Sequence, residues 1–306
     1  MRVRVFVNDA AGSVDEAERD RHHRELVDAF EAAGAEAEVT SVAPEELGDA
    51  VVGCWEGEDR PDVVVVAGGD GTVGCAAQAA AGTDVVLGVV PLGTFNHFAG
   101  DLGLSEDLGA AARALVGGEV RALDVGEVSG RVFVNNSVLG AYPDMVAIRD
   151  VIRDRRGWGK VRAVPVAVVA VARRFPVHRL DLVGPGYERR RVRTPLVFVG
   201  NGTFGDGSGG PPQRTALDDG VLGVGVARVV SRWGLVRALV RALVRGTDGD
   251  GELDHVELAE LTVSSRRRRL RVALDGEVVR LDLPLRYRVR PGALRVLVPA
   301  DAAGER

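Results

Sequence analysis

Residues 63–72 read VVVVAGGDGT, and a four-valine run ending on a glycine cluster constrains this chain more than any other ten residues. Such a run is too apolar to face water on either side, which predicts a central strand of a parallel sheet. The strand stops at Gly68, Gly69, Asp70, Gly71 and Thr72, and the small residues from Val73 and Gly74 to Ala81 predict a helix. A tight glycine turn between strand and helix lets bare amides approach phosphate oxygens, and the helix start adds its dipole. Asp70 sets a carboxylate inside that anion site, an arrangement that repels phosphate unless a divalent cation lies between them. The loop therefore reads as a nucleotide–Mg2+ turn. On the loop alone, a plain glycine connector after a buried strand stays open.

Two familiar phosphate loops are excluded. A Walker-type loop needs a lysine after its last glycine, and the only lysine in the chain is Lys160. Gly69-Asp70-Gly71-Thr72-Val73-Gly74 has the G-x-G-x-x-G spacing of the dinucleotide fingerprint, but the acid that should follow about 20 residues on is missing, since 85–100 hold no Asp or Glu. Phosphate charge must then be met by metal, amides and arginine.

With 306 residues the chain is long enough for about two domains. A net charge of −5 argues against nucleic acid as a partner, which needs a basic face. Cys54 and Cys75 are isolated, without metal-ligand spacing, and fit a reduced cytoplasmic protein. The start MRVRVFVNDAAG alternates like a strand and is too charged for a signal peptide, and no apolar run reaches a membrane span.

The first third alternates strand and helix. Val3, Val5 and Val7 share one strand face, and Ser13 and Glu16 have capping-box spacing ahead of Leu26, Val27 and Phe30. Residues 37–41 predict a second strand, 44–52 a short helix, and 63–67 and 85–90 two more strands, each ending in a glycine turn. This order implies a parallel sheet with its ligand crevice beyond the carboxyl ends of the strands. Asn8, Thr40, the Gly68 turn and Gly93-Thr94 all fall at or near such ends. After about Val120 short alternating segments (131–138, 178–183, 194–200, 221–230, 257–263, 270–274) predict an antiparallel β domain. A helix over 160–175, broken near Pro165, and an amphipathic helix over 233–245 interrupt it. The expected division is an α/β domain over 1–122 and a β-rich substrate domain over 123–292, with the last strand, within 293–306, free to return to the first.

The second glycine turn reads PLGTFNHF, and its Thr94 and Asn96 suit phosphate, ribose or a metal-bound water. GGDGT, then PLGTFNHFAGDLGL, VFVNNSVLGAYP, LDDGVLGV and LDGE, in that order, resemble the diacylglycerol kinase catalytic family, which includes bacterial lipid kinases and sphingosine kinases. The resemblance implies a nucleotide-binding domain like that of phosphofructokinases, followed by an antiparallel β-sandwich. It places the active site in the cleft between them and implies ATP and Mg2+ as cofactors. Carried over residue by residue, it implies a nucleotide site of Asn8, Thr40, Gly68, Gly69, Asp70, Gly71, Thr72, Val73, Gly74 and Thr94. The family often has Asn-Pro where this chain has Asn8-Asp9, and Asn-Asp where it has Asn96-His97, so His97 removes one carboxylate.

Leu270, Val272 and Leu274 on one strand face put Asp275 on the opposite, polar face, and Gly276 lets the chain turn so that two carboxylates can meet one cleft. Phosphorylating an alcohol needs a base for the hydroxyl proton and a cation to spread phosphoryl charge. In the family this motif carries the catalytic acid residue. Glu277 is assigned as general base and Asp275 as its neighbour and potential metal ligand, with the roles exchangeable; Asp-Gly-Glu alone also reads as a hairpin turn. Leu217-Asp218-Asp219-Gly220-Val221 resembles the family's second Mg2+ site, which maps to Asp219 with Ala216 and Val221; the bare alternative is again an Asp-Gly turn. Asp206, in the loop 205–210, is a weaker candidate.

The helix WGLVRALVRALVR (233–245) and the arginine run 266–269 suit an anionic membrane face, although such segments more often form a self-packed helix and a solvated strand end. The resemblance thus implies a cytoplasmic enzyme, peripheral at the inner membrane face, that phosphorylates a hydroxyl of a diacylglycerol-like or sphingoid lipid. The apolar run 163–172 is a candidate acyl-chain holder. The alternatives are a small-molecule kinase like NAD kinase or phosphofructokinase, and a non-catalytic lipid-binding regulator. A homodimer is compatible with these residues, and nothing in them decides it.

Overall fold

The structure, a computed structural model, describes residues 1–8, 16–56, 59–156, 160–174, 177–203, 214, 216–227, 231, 233–234 and 253–300. Ser13, Asp206 and all but the start of the expected 233–245 helix lie outside the described residues. The chain forms two compact units, Met1–Val125 with the chain from Pro291, and Gly126–Arg290.

In chain order the first elements are β1 (Arg2–Asn8), α1 (Glu16–Ala32), β2 (Glu36–Val42), α2 (Leu47–Gly53), β3 (Val63–Gly68), α3 (Asp70–Ala80), β4 (Val86–Pro91), α4 (His97–Asp101), α5 (Leu108–Val116) and β5 (Glu119–Val128). Then come β6 (Arg131–Phe133), β7 (Asn136–Gly140), α6 (Ala141–Arg156), α7 (Lys160–Arg174), β8 (His178–Gly184), β9 (Tyr187–Thr194), β10 (Leu196–Asn201) and β11 (Leu222–Ala227). The chain ends with β12 (Leu253–Leu258), β13 (Glu260–Ser264), β14 (Arg269–Leu274), β15 (Glu277–Asp282) and β16 (Leu285–Val298).

The first unit is the α/β domain. Its strands run β2-β1-β3-β4, all parallel, and the end of β16 joins β4 in parallel through Arg295↔Val86 and Val296↔Leu87. Val63, Val64, Val65 and Val66 are at most 3% exposed, as a strand covered on both faces requires. Burying each contributes roughly 1.5–3 kcal/mol. Ala76, Ala77 and Ala80 are fully buried, so α3 lies close over the sheet on its small-residue face. Its start is held at the carboxyl end of β3.

The second unit is an antiparallel sandwich. One sheet runs β12-β11-β10-β7-β14-β15, and the other joins the first half of β16 to β13, β8 and β9. Its core draws Val197, Val224 and Val272 from the first sheet and Leu182, Val263 and Leu285 from the second. The other face of the first sheet is covered by α6 and α7, whose Ala141, Met145, Val146, Ala167, Val168 and Val171 pack together with Val278 at its edge.

Several expectations need correction here. The helix over Lys160–Arg174 runs through Pro165 without a break. A proline removes one helical hydrogen bond at a cost of about 3 kcal/mol, and the packing of Ala167, Val168 and Val171 on α6 offsets it. The expected strand 257–263 is two strands in different sheets, β12 beside β11 and β13 beside β16 and β8, with a corner at Ala259. Its continuous alternation hid the switch. The helix α6 and the strands β9 and β15 were not anticipated. In β9 the arginines 189–191 and 193 are exposed on an edge strand, so charge masked its periodicity.

Candidate active site

In the first unit two glycine turns are built against each other. Leu92 N donates to the Gly68 carbonyl at 3.1 Å, and a Cβ on Gly93 would lie 2.4 Å from the Gly69 Cα. Gly93 therefore needs hydrogen as its side chain, while a Cβ on Gly69 would lie 3.1 Å from the Gly93 Cα, a tight fit that asks that backbone to give slightly. Gly93→Ala is expected to cost about 1–3 kcal/mol, whereas Gly100→Ala, with open space at its Cβ, should leave stability unchanged. Thermal melts read both outcomes.

Asp70 opens α3, and its Oδ1 accepts from Phe98 N in α4 at 3.2 Å. The acid therefore ties the first turn to the second while remaining half-buried. Asn8, at the end of β1, donates through Nδ2 to Thr72 Oγ1 at 2.9 Å, so a third strand end joins the cluster. A Cβ on Gly68 would meet that same Oγ1 at 2.5 Å. The amides of Thr72 and Val73 close onto the Gly69 carbonyl, and the Val73 side chain belongs to the core. Gly71 is exposed, has open space beside it, and lies in the first helical turn, where amides lack an intrahelical acceptor. Gly74 is half-buried within α3.

Thr94 and His97 are exposed, and the His97 ring stacks on Phe95 at 5.8 Å between centroids. Asn96 sits at φ 50° with its Oδ1 accepting from Gly93 N at 2.8 Å and its Nδ2 donating to Gly93 O and Glu106 Oε1, so its side chain shapes the turn. Thr40 is not gathered in. It is exposed on the edge strand β2 opposite Phe6, two residues short of the Asn8↔Val42 pair.

The second unit holds the other acids. Leu274↔Glu277 closes a two-residue hairpin with Asp275 at φ 46° and Gly276 at φ 88°, the left-handed pair that an Asp-Gly turn supplies. The turn aims the Asp275 carboxylate inward. Oδ2 accepts from Val134 N at 2.8 Å, and Oδ1 accepts from Asn135 N at 2.8 Å and Asn136 N at 2.9 Å. This nest is why the expected strand 131–138 is broken into β6 and β7: its amides turn to a carboxylate instead of a neighbouring strand. Burial pushes the Asp275 pKa up to about 6, against the opposing pull of the three amides and of Arg214. Arg214 is itself buried and donates to the Val134 carbonyl at 2.6 Å and Asn135 Oδ1 at 2.7 Å. The Glu277 side chain, by contrast, is exposed and makes no hydrogen bond or ion pair among the described residues. The two acids therefore do not share one polar environment, contrary to expectation. Asp275 anchors the turn and Glu277 stands clear of it. Arg214 and the 134–136 nest carry no sequence signal of their own, because each matters only through a partner 80–141 residues away.

Asp219 accepts from Thr203 N at 3.0 Å and Val221 N at 3.4 Å. A Cβ on Gly202, which sits at φ 89°, would lie 2.7 Å from the Ala216 carbonyl oxygen and 3.6 Å from Asp219 Oδ1, so those two oxygens converge. The Val221 carbonyl accepts from Gly202 N at 3.0 Å and closes the same loop. This donor set is hard oxygen, which fits Mg2+ keeping several waters. Among the described residues no three acidic, histidine or cysteine side chains cluster for a metal, so any ion here relies on carbonyls and water.

Comparison with known proteins agrees with this arrangement. Residues 2–128 match the diacylglycerol kinase catalytic domain, and residues 143–298 match the YegS C-terminal NAD kinase beta sandwich-like domain. The chain is 30% identical over 241 residues to a protein of Pseudomonas fluorescens named probable lipid kinase YegS-like, covering 78% of each. It is 31% identical over 253 residues to a protein of Mycobacterium tuberculosis named diacylglycerol kinase, covering 78% of this chain and 77% of that one. A solved diacylglycerol kinase structure from Bacillus anthracis shares the fold at a TM-score of 0.67 and 20% identity, over 97% of this chain and 96% of that one. With its catalytic and sandwich domains both matched in order, the chain belongs to the diacylglycerol kinase catalytic family.

Proposed function

We propose that this protein is an ATP- and Mg2+-dependent lipid kinase acting on a hydroxyl of a diacylglycerol-like or sphingoid lipid at a membrane surface. The observation that carries the reading is Glu277, an acid with no described partner on a hairpin anchored by the buried Asp275. In this reading Glu277 takes the proton of the acceptor hydroxyl. The acceptor oxygen then bonds to the γ-phosphorus as the bond to the β–γ bridging oxygen breaks, and ADP leaves. The Gly68–Thr72 turn offers the Gly71 amide and the start of α3 to phosphate oxygens. Mg2+ would be held by Asp70 at the nucleotide and by Asp219 and Ala216 in a structural site, and it supplies charge neutralisation that the chain, with no lysine at the turn, lacks.

Support for a lipid acceptor comes from α6 and α7. Val151, Val166 and Val169 are 44–50% exposed, and a cavity of about 230 Å3 lies among Ala147, Ile148, Val151, Ile152 and Val171. No described helix is long and apolar enough to cross a membrane, so such a lipid would be met at the surface. The reading is tested by presenting labelled ATP and purified protein with diacylglycerol, monoacylglycerol, sphingosine, ceramide and soluble alcohols. Transfer to a long-chain lipid is the expected result. Transfer only to soluble acceptors would point to a small-molecule kinase, and none at all to a binding protein.

A further inference from the structure

The first residues of β14 and the facing residues of β15 hold more positive charge than their neighbours neutralise. Arg267, Arg269, Arg271 and Arg280 line one cavity of about 250 Å3, together with Asp144 and His178. Two of the four guanidiniums are compensated: Arg269 bonds Asp282 at 2.6 Å and Arg271 bonds Asp144 at 2.9 Å. Arg267 and Arg280 have no carboxylate partner among the described residues. Arg280 also stands directly opposite Arg271 in the β14–β15 ladder. Like charges in that position destabilise a sheet unless an anion lies between them.

The His178 ring lies at the edge of the same place. The Nε2 of His178, at the start of β8, is buried without a hydrogen-bond partner. Burial and the nearby Arg267 hold its pKa below the usual histidine range, while Asp144 pulls the other way. The guanidinium forks beside the ring match phosphate oxygens. The cavity also adjoins the apolar one between α6 and α7, since Asp144 and Arg271 line both. An anion seated among the arginines thus has room beside it for an organic tail.

We propose that this cavity binds a phosphate monoester, whose dianion balances Arg267 and Arg280 beside the His178 ring. The site is separate from the acids of the hairpin. Arg280 is three residues from Glu277 along β15, about 10 Å, and that odd spacing sets the two side chains on opposite faces of the sheet. The proposal therefore reaches beyond the kinase reading and survives its failure. A phosphorylated lipid and a soluble phosphate ester share the headgroup chemistry, and their affinities distinguish them.

The test is calorimetry of the full chain with inorganic phosphate, glycerol 3-phosphate and dioctanoyl phosphatidate below its micelle concentration. The variants are Arg267→Gln and Arg280→Gln, and the His178 ring resonance, assigned with His178→Gln, is followed alongside. The wild-type protein is expected to bind at least the phosphatidate and to shift the His178 resonance. Each arginine variant should bind about tenfold more weakly, as expected for one lost charge-assisted hydrogen bond. Arg280→Gln should melt no lower than wild type without ligand, because it relieves the Arg271 contact. Tighter binding of phosphatidate than of glycerol 3-phosphate would assign the site to a lipid, and equal binding to a soluble ester. No binding of any of the three, or binding undiminished in both arginine variants, would overturn the site.

Discussion

Asp70→Asn is expected to lower phosphoryl transfer by about a thousandfold while leaving the melting temperature within about 2 °C of wild type. The substitution is nearly isosteric. Asparagine keeps an oxygen to accept from Phe98 N, the contact that ties the two glycine turns together, and removes only the charge. If Asp70 serves as a divalent-cation ligand beside the triphosphate, loss of that charge weakens MgATP far more than it disturbs the fold. Asp70→Ala loses both charge and acceptor, so it should cost a further 1–3 kcal/mol or so of stability through the orphaned amide. Labelled-ATP turnover, MgATP calorimetry and thermal melts on the pair separate the two roles. Turnover near wild type in Asp70→Asn would mean that the acid is only a structural tie, and the metal-bridge reading would be lost.

Glu277→Gln is expected to reduce kcat by about 10²–10⁴-fold with little change in the KM for ATP or in stability. Its side chain is exposed and makes no described contact, so its removal strands no partner. Asp275→Ala makes the opposite prediction. Three buried amides lose their acceptor, and stability should fall by about 3 kcal/mol or more whatever the reaction needs. Urea unfolding beside single-turnover kinetics distinguishes the pair. A Glu277→Gln protein that turns over normally would remove the general base from the proposed mechanism and reopen the exchange of roles with Asp275.

The parallel α/β unit was legible because its signals are local. Four consecutive valines can only be covered on both faces, and each glycine cluster marks the strand end before it. The order of short motifs likewise carried the family. Where two structures shared one local pattern, reading by periodicity failed. Alternation over 257–263 cannot reveal that the chain changes sheets at Ala259, because both sheets ask for the same period of two. The periodicity of β9 was hidden by the arginines of an exposed edge.

Local residue order thus determined which turns are glycine-rich, which strands are buried, and which acids follow them. Tertiary structure alone decided what each acid does. Asp275 and Glu277 are two residues apart and chemically alike, yet one is enclosed by the amides of 134–136 and the other faces solvent. The abutment of Gly69 on Gly93, the tie from Asp70 to Phe98, and the crowding of four arginines around His178 are of the same kind. Each depends on groups brought together from distant parts of the chain. Burial and hydrogen-bond geometry are properties of that meeting, and no single segment contains them.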